Sequence, residues 1–222
     1  MRSYFVTATG TDIGKTYVSA RLISAWRAQG YVAQATKPVM SGFAEDALEQ
    51  SDAGRLLTAM GRAVTPASVA EICLHRLAPP LSPNVAMRQA GVRQDYPEIL
   101  AFVRDRLSDG GDCHLVEGAG GVMSPLTDEK LQIDLMADLQ LPIILITAAY
   151  LGSVSHTLTA LYALSARGLK VSAVAISQPF SSGDDLSAFA GELNRFRDVP
   201  VFGIPHGHDA AALGTALLQQ DA

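Results

Sequence analysis

The nine residues from Ala8 to Thr16 constrain this chain more than any other stretch. They read Ala-Thr-Gly-Thr-Asp-Ile-Gly-Lys-Thr and lie between an apolar run that predicts a strand over 4–8 and a pattern that predicts a helix over 15–29. At such a junction the first N–H groups of the helix have no intrahelical partners and point outward with the positive end of the helix dipole. Anions, and phosphates above all, are held there. Gly14 lets a ligand approach the backbone, Lys15 reaches the outer phosphates, and the Thr16 hydroxyl is placed for magnesium. The strict spacing of a phosphate-binding loop asks for glycine at position 9; Thr stands there, with Gly10 beside it. The alternative is a glycine-containing turn with a surface lysine, but the Gly-Lys-Thr triplet at this junction favours a nucleotide site.

The rest of the chain repeats the pattern. Short apolar runs predict strands at 4–8, 32–37, 113–117, 142–147, 170–176 and 200–204, and amphipathic runs predict helices at 15–29, 45–60, 94–108, 153–167, 185–197 and 209–219. Runs such as Pro142-Ile143-Ile144-Leu145-Ile146 hardly alternate, as in strands buried on both faces. The expected fold is α/β, a mostly parallel central sheet with helices on both faces, in a single domain over 1–222. Gly30 and Gly168 are placed as C-caps. Residues 62–93, carrying Pro66, Pro79, Pro80 and Pro83, break the rhythm and read as an excursion, a small cap or a partner contact.

With 48% hydrophobic and 18% charged residues over 222 positions, a sizeable core is available, which excludes a disordered chain, a collagen repeat or a disulfide-stapled scaffold. Only 6% is aromatic, which disfavours a β-sandwich. A net charge of -5 argues against a general nucleic-acid binder while leaving room for a local basic pocket. Cys73 and Cys113 form no framework and suit a reduced cytoplasm. No signal peptide is read at the N-terminus, and the longest apolar stretch, 139–151, is interrupted by Gln140 and Pro142 and falls short of the ~20 residues that span a bilayer. The expectation is a soluble cytoplasmic protein.

Three further positions point to the same rim. Glu117 closes a buried strand and is followed by Gly118-Ala119-Gly120-Gly121, an acid where parallel sheets bind ligands and a magnesium nucleotide needs a carboxylate. Asp52, after Ser51, reads equally as a metal ligand or as an acid complementing a helix dipole. Lys37, fixed by Pro38 after its strand, is a second lysine beyond what phosphate binding requires; a second anionic group would use it, and the alternative is a solvated charge. Ser153 to His156 open a helix whose free N–H groups could hold a carboxylate, or are capped by Ser153. His206 and His208 have no clustered partners that would argue for a metal.

Taken in order, Thr9-x-Thr11-x-x-Gly14-Lys15-Thr16, Lys37-Pro38-Val39-x-Ser41-Gly42, Ser51-Asp52, Ser82-Pro83, Val116-Glu117-Gly118-Ala119-Gly120-Gly121, Leu151-Gly152-x-x-x-His156 and Gly203-Ile204-Pro205 resemble the dethiobiotin synthetase family over nearly the whole chain. The resemblance implies a P-loop homodimer with its active site at the subunit interface. Such enzymes close the ureido ring of dethiobiotin from 7,8-diaminononanoate, CO2 or bicarbonate, and MgATP. It implies that Lys37, Lys15 and Thr11 serve the chemistry, that Ser41 contacts the diamine or its carbamate, and that Leu151, Gly152, Ser153, Val154 and Ser155 of the partner subunit receive the substrate carboxylate. Nucleotide contacts would come from Asp12, Ile13, Gly14, Lys15, Thr16, Tyr17, Asp52, Glu117, Gly118, Ala119 and Gly120. On the adenine side they would come from Ser177, Gln178, Pro205, His206 and Gly207. Magnesium would lie on Thr16, Asp52 and Glu117.

The chain departs from the family pattern at Ala8 (usually Gly), at Asn84 (commonly His), at Ser177-Gln178 (an Asn-Asp pair) and at Phe189 (Tyr). The third departure predicts weaker nucleotide discrimination. A partition-type ATPase switch would carry a lysine at position 10, a GTPase switch an Asn-Lys-x-Asp motif, and a cobyrinate-type amidoligase a further glutamine-handling domain; none is read here.

Overall fold

The computed structural model describes residues 1–178 and 185–220. Six strands form one sheet: β1 (Arg2–Ala8), β2 (Ala33–Thr36), β5 (Cys113–Glu117), β6 (Ile143–Ala148), β7 (Val171–Ser177) and β8 (Val201–Ile204). Their spatial order is β2-β5-β1-β6-β7-β8 and every adjacent pair is parallel. Successive side chains alternate between faces, and both faces are covered, which is why the strands read as unbroken apolar runs. Tyr4, Val6, Ile144 and Ile146 enter one core with Leu22, Trp26, Leu57 and Leu217; Phe5, Ile143 and Leu145 enter the other with Val103, Met136 and Leu164.

The first core is closed by α1 (Lys15–Ala28), α2 (Asp52–Ala59), α3 (Pro66–Ile72) and α9 (Ala211–Gln220); the second by α4 (Pro83–Gln89), α5 (Tyr96–Ser108), α6 (Gln132–Leu139), α7 (Ser153–Ala166) and α8 (Leu186–Asn194). The Tyr4 hydroxyl donates to the Leu217 carbonyl at 2.8 Å and the Trp26 indole to the Gly214 carbonyl at 3.2 Å, so α9 is fixed to the first face by polar contacts as well as packing.

The expected helix over 45–60 is broken. Ser51 is extended, its hydroxyl donates to the Leu48 carbonyl at 2.6 Å and accepts from the Gly54 N–H at 3.0 Å, and a 3₁₀ segment (Glu45–Gln50) ends there. This cap makes Asp52 the first residue of α2. The excursion at 62–93 holds structure that its prolines concealed: Thr65 caps α3 with Pro66 at its first turn, Pro83 opens α4, and β3 (Val39–Ser41) pairs in parallel with β4 (His75–Leu77) as a separate two-stranded sheet. The α6 helix was not expected, and β2 stops at Thr36, one residue before Lys37. Gly152, not Ser153, caps α7; the Ser153 hydroxyl instead donates to the Tyr150 carbonyl at 2.6 Å. Gly30 and Gly168 take positive φ, as their places past helix ends require. Among the described residues no helix is long and apolar enough to cross a membrane.

Candidate active site

The neighbours β2, β5 and β1 end together at their carboxyl edge, and each delivers one part of the site. After β1 the chain turns through Asp12 and Gly14, both with positive φ (57° and 92°), into α1, whose first turn carries no acidic side chain. The N–H groups of that turn therefore remain free to meet an anion. Lys15 is buried at its start and makes one long bond, Nζ to the Gly10 carbonyl at 3.4 Å. Burial, with the Lys37 charge beside it, lowers its pKa to about 8.

Lys37 is only 2% exposed, and its ammonium is held at 2.8 Å by Glu117 Oε1, at 2.9 Å by Asp52 Oδ2 and at 3.1 Å by the Gly118 carbonyl. Burial disfavours its charge, but Asp52 and Glu117 outweigh it and hold the pKa above the usual lysine value. Lys37 in turn pulls the half-buried Asp52 down to about 2. Thr16 donates to the same Glu117 oxygen at 2.7 Å. Glu117 is fully buried, and its other oxygen, Oε2, has no partner among the described residues. The alternative of a solvated Lys37 thus falls away: it is the buried hub of the site. Asp52 likewise does more than complement a helix dipole, since its carboxylate pairs with that hub.

A cavity of about 410 Å³ opens over this cluster, lined by Thr11, Asp12, Gly14, Lys15, Thr16, Tyr17, Lys37, Ser41, Asp52, Ala119 and Gly120. Ile13 is half-buried in the same loop. Met40, Gly42, Gln50, Ser51 and Arg55 also line it. Of these Met40, Gln50 and Arg55 escaped the sequence reading; for Arg55 its spacing from Asp52, one helical turn, is the signal that could have found it. The turn after β5 is packed against the phosphate loop. A side chain at Gly121 would put its Cβ 3.1 Å from the Ala8 carbonyl and 3.3 Å from Gly10, so anything larger than glycine would press the two turns apart by a few tenths of an ångström.

The remaining candidates lie apart from the cavity lining. Ser177 is buried at the end of β7, its hydroxyl without a partner among the described residues, and the Gln178 N–H donates to the Ile204 carbonyl at 3.0 Å. Pro205, His206 and Gly207 follow β8 and reach the cavity through Tyr17, whose hydroxyl donates to the Pro205 carbonyl at 3.1 Å. Leu151 and Gly152 precede α7 and Ser153 to Ser155 begin it, outside this cavity; Leu151 is fully exposed. Of the departures from the family pattern, Ala8 is buried, Asn84 is tied to Asp128 at 3.0 Å, and Phe189 packs against the second core.

Comparison with known proteins decides the family. A family model described as an AAA domain matches residues 2–210. The ATP-dependent dethiobiotin synthetase BioD of Phenylobacterium zucineum is 44% identical over 96% of this chain and 92% of its own length; that of Caulobacter sp. strain K31 is 43% identical over 98% and 95%. The chain belongs to the dethiobiotin synthetase family. Neither rival, the partition-type switch nor the cobyrinate-type amidoligase, is favoured by these relatives. Solved structures share the fold alone. A ParA family ATPase from Chlorobium tepidum has a TM-score of 0.55 at 12% identity, covering 99% of this chain and 92% of that one. The septum site-determining protein MinD of Pyrococcus horikoshii, complexed with Mg-ADP, has 0.54 at 18% over 97% and 85%. The fold is that of P-loop NTPases.

Proposed function

We propose that this chain, as one domain, closes the ureido ring of dethiobiotin with ATP. The observation that carries the reading is the meeting of Lys37, Glu117, Asp52 and Thr16 beside a helix N-terminus built for phosphates, in a chain of this family. Two cations, Lys15 and Lys37, stand where a phosphate chain and a second anion would meet. In family chemistry one nitrogen of 7,8-diaminononanoate is carbamated by CO2, drawn from bicarbonate. The γ-phosphoryl passes to the carbamate oxygen, and the second amine displaces phosphate to close the ring. Such a transfer needs positioning and charge stabilisation rather than a protein nucleophile. Lys37 would steady the carbamate and the phosphoryl oxygens, Lys15 the outer phosphates, and Thr11 and Ser41 at the cavity mouth would orient the diamine.

Hard oxygen donors from Asp52 and Glu117 hold the Lys37 ammonium, the Thr16 hydroxyl joins them through Glu117 Oε1, and the Glu117 oxygen left unpartnered among the described residues adds one more acceptor. That donor set suits Mg2+. When bound, the ion would neutralise triphosphate charge. We place the cytoplasm as the compartment and a homodimer as the working assembly. The fully exposed Leu151 and the Gly152-capped N-terminus of α7 support a second copy covering this face, with Leu151 to Ser155 turned toward a substrate carboxylate across the interface; the Ser153 N–H is engaged by the Tyr150 carbonyl at 3.0 Å, so the donors on offer are those of its neighbours. Phosphate release from MgATP and bicarbonate, measured with and without 7,8-diaminononanoate, tests the reading. Release should depend on the diamine and fall at least about 100-fold in a folded Lys37→Ala variant. Release indifferent to the diamine would refute the substrate assignment.

A further inference from the structure

The loop between β8 and α9 reaches the phosphate-binding helix through one side chain. Tyr17, on the first turn of α1, lines the cavity with its ring, while its hydroxyl donates to the Pro205 carbonyl at 3.1 Å and accepts from the Gly207 N–H at 3.0 Å. The three residues are separated by 188 and 190 positions in the chain, so these bonds bring together segments that nothing local would align. The Arg21 guanidinium, one turn further on, stands 5.3 Å from the ring centroid on its face and restricts the ring's orientation. Pro205 is half-buried, His206 and Gly207 are exposed, and Gly207 has a φ of 78°. The Pro205 carbonyl also accepts from the His208 N–H at 3.1 Å, which closes a local turn, and Tyr17 ties that turn to the phosphate-binding helix.

We infer that Tyr17 is the positioning residue of the base side. Its hydroxyl fixes the Pro205–Gly207 backbone relative to the phosphate loop, and so fixes where the purine of the nucleotide can lie. This deepens the proposed function and rests on its nucleotide reading. The consequence is a division of labour along the ligand: the helix N-terminus and Lys15 hold phosphates whether or not a base is attached, and Tyr17 acts only on ligands that carry one. It also supplies base-side order in a chain where Ser177-Gln178 stands for the pair that the family uses against adenine.

Tyr17→Phe keeps the ring and its contact with Arg21 and removes both bonds. Binding of Mg-ADP and of magnesium tripolyphosphate, which has phosphates and no base, is measured by calorimetry on the full chain. The expected result is a five- to tenfold loss for Mg-ADP, about what two hydrogen bonds in a solvated loop contribute, with tripolyphosphate unchanged within about twofold. The KM for ATP rises by about the same factor and kcat stays put, and the thermal midpoint is close to that of the parent. Equal weakening of both ligands, or no weakening of Mg-ADP, would overturn the assignment. If the variant proves poorly folded, Tyr17→4-aminophenylalanine, whose amino group lies where the hydroxyl was and still donates to the Pro205 carbonyl, should keep part of the Mg-ADP preference over tripolyphosphate; loss of that preference while folded would also overturn it. Failure of the parent chain to bind either ligand is a different result, and would remove the nucleotide reading itself.

Discussion

Taking away Glu117 would leave the Lys37 ammonium buried with Asp52 as its remaining carboxylate partner, and taking away Lys37 would leave two acids facing each other. An uncompensated buried charge is costly, about 3–5 kcal/mol when one partner of such a pair is removed. Glu117→Leu should lose stability on that scale in denaturant unfolding, whereas Glu192→Gln, which breaks the exposed Arg195–Glu192 pair, should stay within about 0.5 kcal/mol of the parent. A loss at Glu117 no larger than at Glu192 would mean that the cluster is hydrated. His114 offers a pH test at the same scale. It is 2% exposed on β5, its Nε2 lies 2.8 Å from the Thr36 hydroxyl, and its Nδ1 has no partner among the described residues. Burial lowers its pKa from 6.5 to about 4; Asp109 opposes the shift and Arg106 adds to it. The unfolded state therefore binds the proton more readily. The neutral histidine's contribution to stability is whole above pH 6.5 and is lost as pH falls toward 4. His114→Gln should flatten that acid limb by about 3 kcal/mol, and an unchanged limb would place the acid sensitivity elsewhere.

Helix and loop glycines behave according to what surrounds them. Gly121 faces the Ala8 carbonyl and Gly10 at contact distance, so Gly121→Ala must push the turn after β5 away from the phosphate loop and cost roughly 1–3 kcal/mol, with weaker Mg-ADP binding. Gly191, inside α8 with nothing within 4 Å, predicts the opposite: Gly191→Ala should add about 0.4–1 kcal/mol. Thermal melts of the two variants check both signs. Elements with a strong local signal were legible in the sequence. Gly14-Lys15-Thr16 marks its own junction, and runs such as Ile143 to Ile146 declare burial on both faces. The strands Val39–Ser41 and His75–Leu77 were not legible, because three residues carry no periodicity and their pairing joins segments 36 positions apart. The break at Ser51 depends on a hydroxyl that both donates and accepts, which a helical pattern over 45–60 hides. The α6 helix escaped because its eight residues run almost directly into the apolar strand that follows.

At the scale of the molecule, two cores on a six-stranded parallel sheet hold three strand ends rigidly enough for Lys15, Lys37 and Glu117 to share one edge. The sequence showed those residues individually. It also pointed Asp52 and these residues at one rim; the burial of Lys37 and its bridging of Glu117 and Asp52 required the fold. The assembly belongs to this scale too. In the proposed homodimer Leu151, fully exposed just before α7, is covered by the second copy. Leu151→Glu should shift the sedimentation of the protein from dimer to monomer and remove most activity while leaving Mg-ADP binding intact; a monomeric parent would contradict the interface. The chemistry of the whole molecule is the closure of a cyclic urea driven by ATP. The most direct measurement supplies 13C-bicarbonate, MgATP and 7,8-diaminononanoate, then follows the label by NMR and ADP by coupled assay. The label should appear in a ureido carbonyl carbon, with one ADP formed for each ring closed. ADP formed without labelled ring, or a ring formed without ATP, would contradict that chemistry.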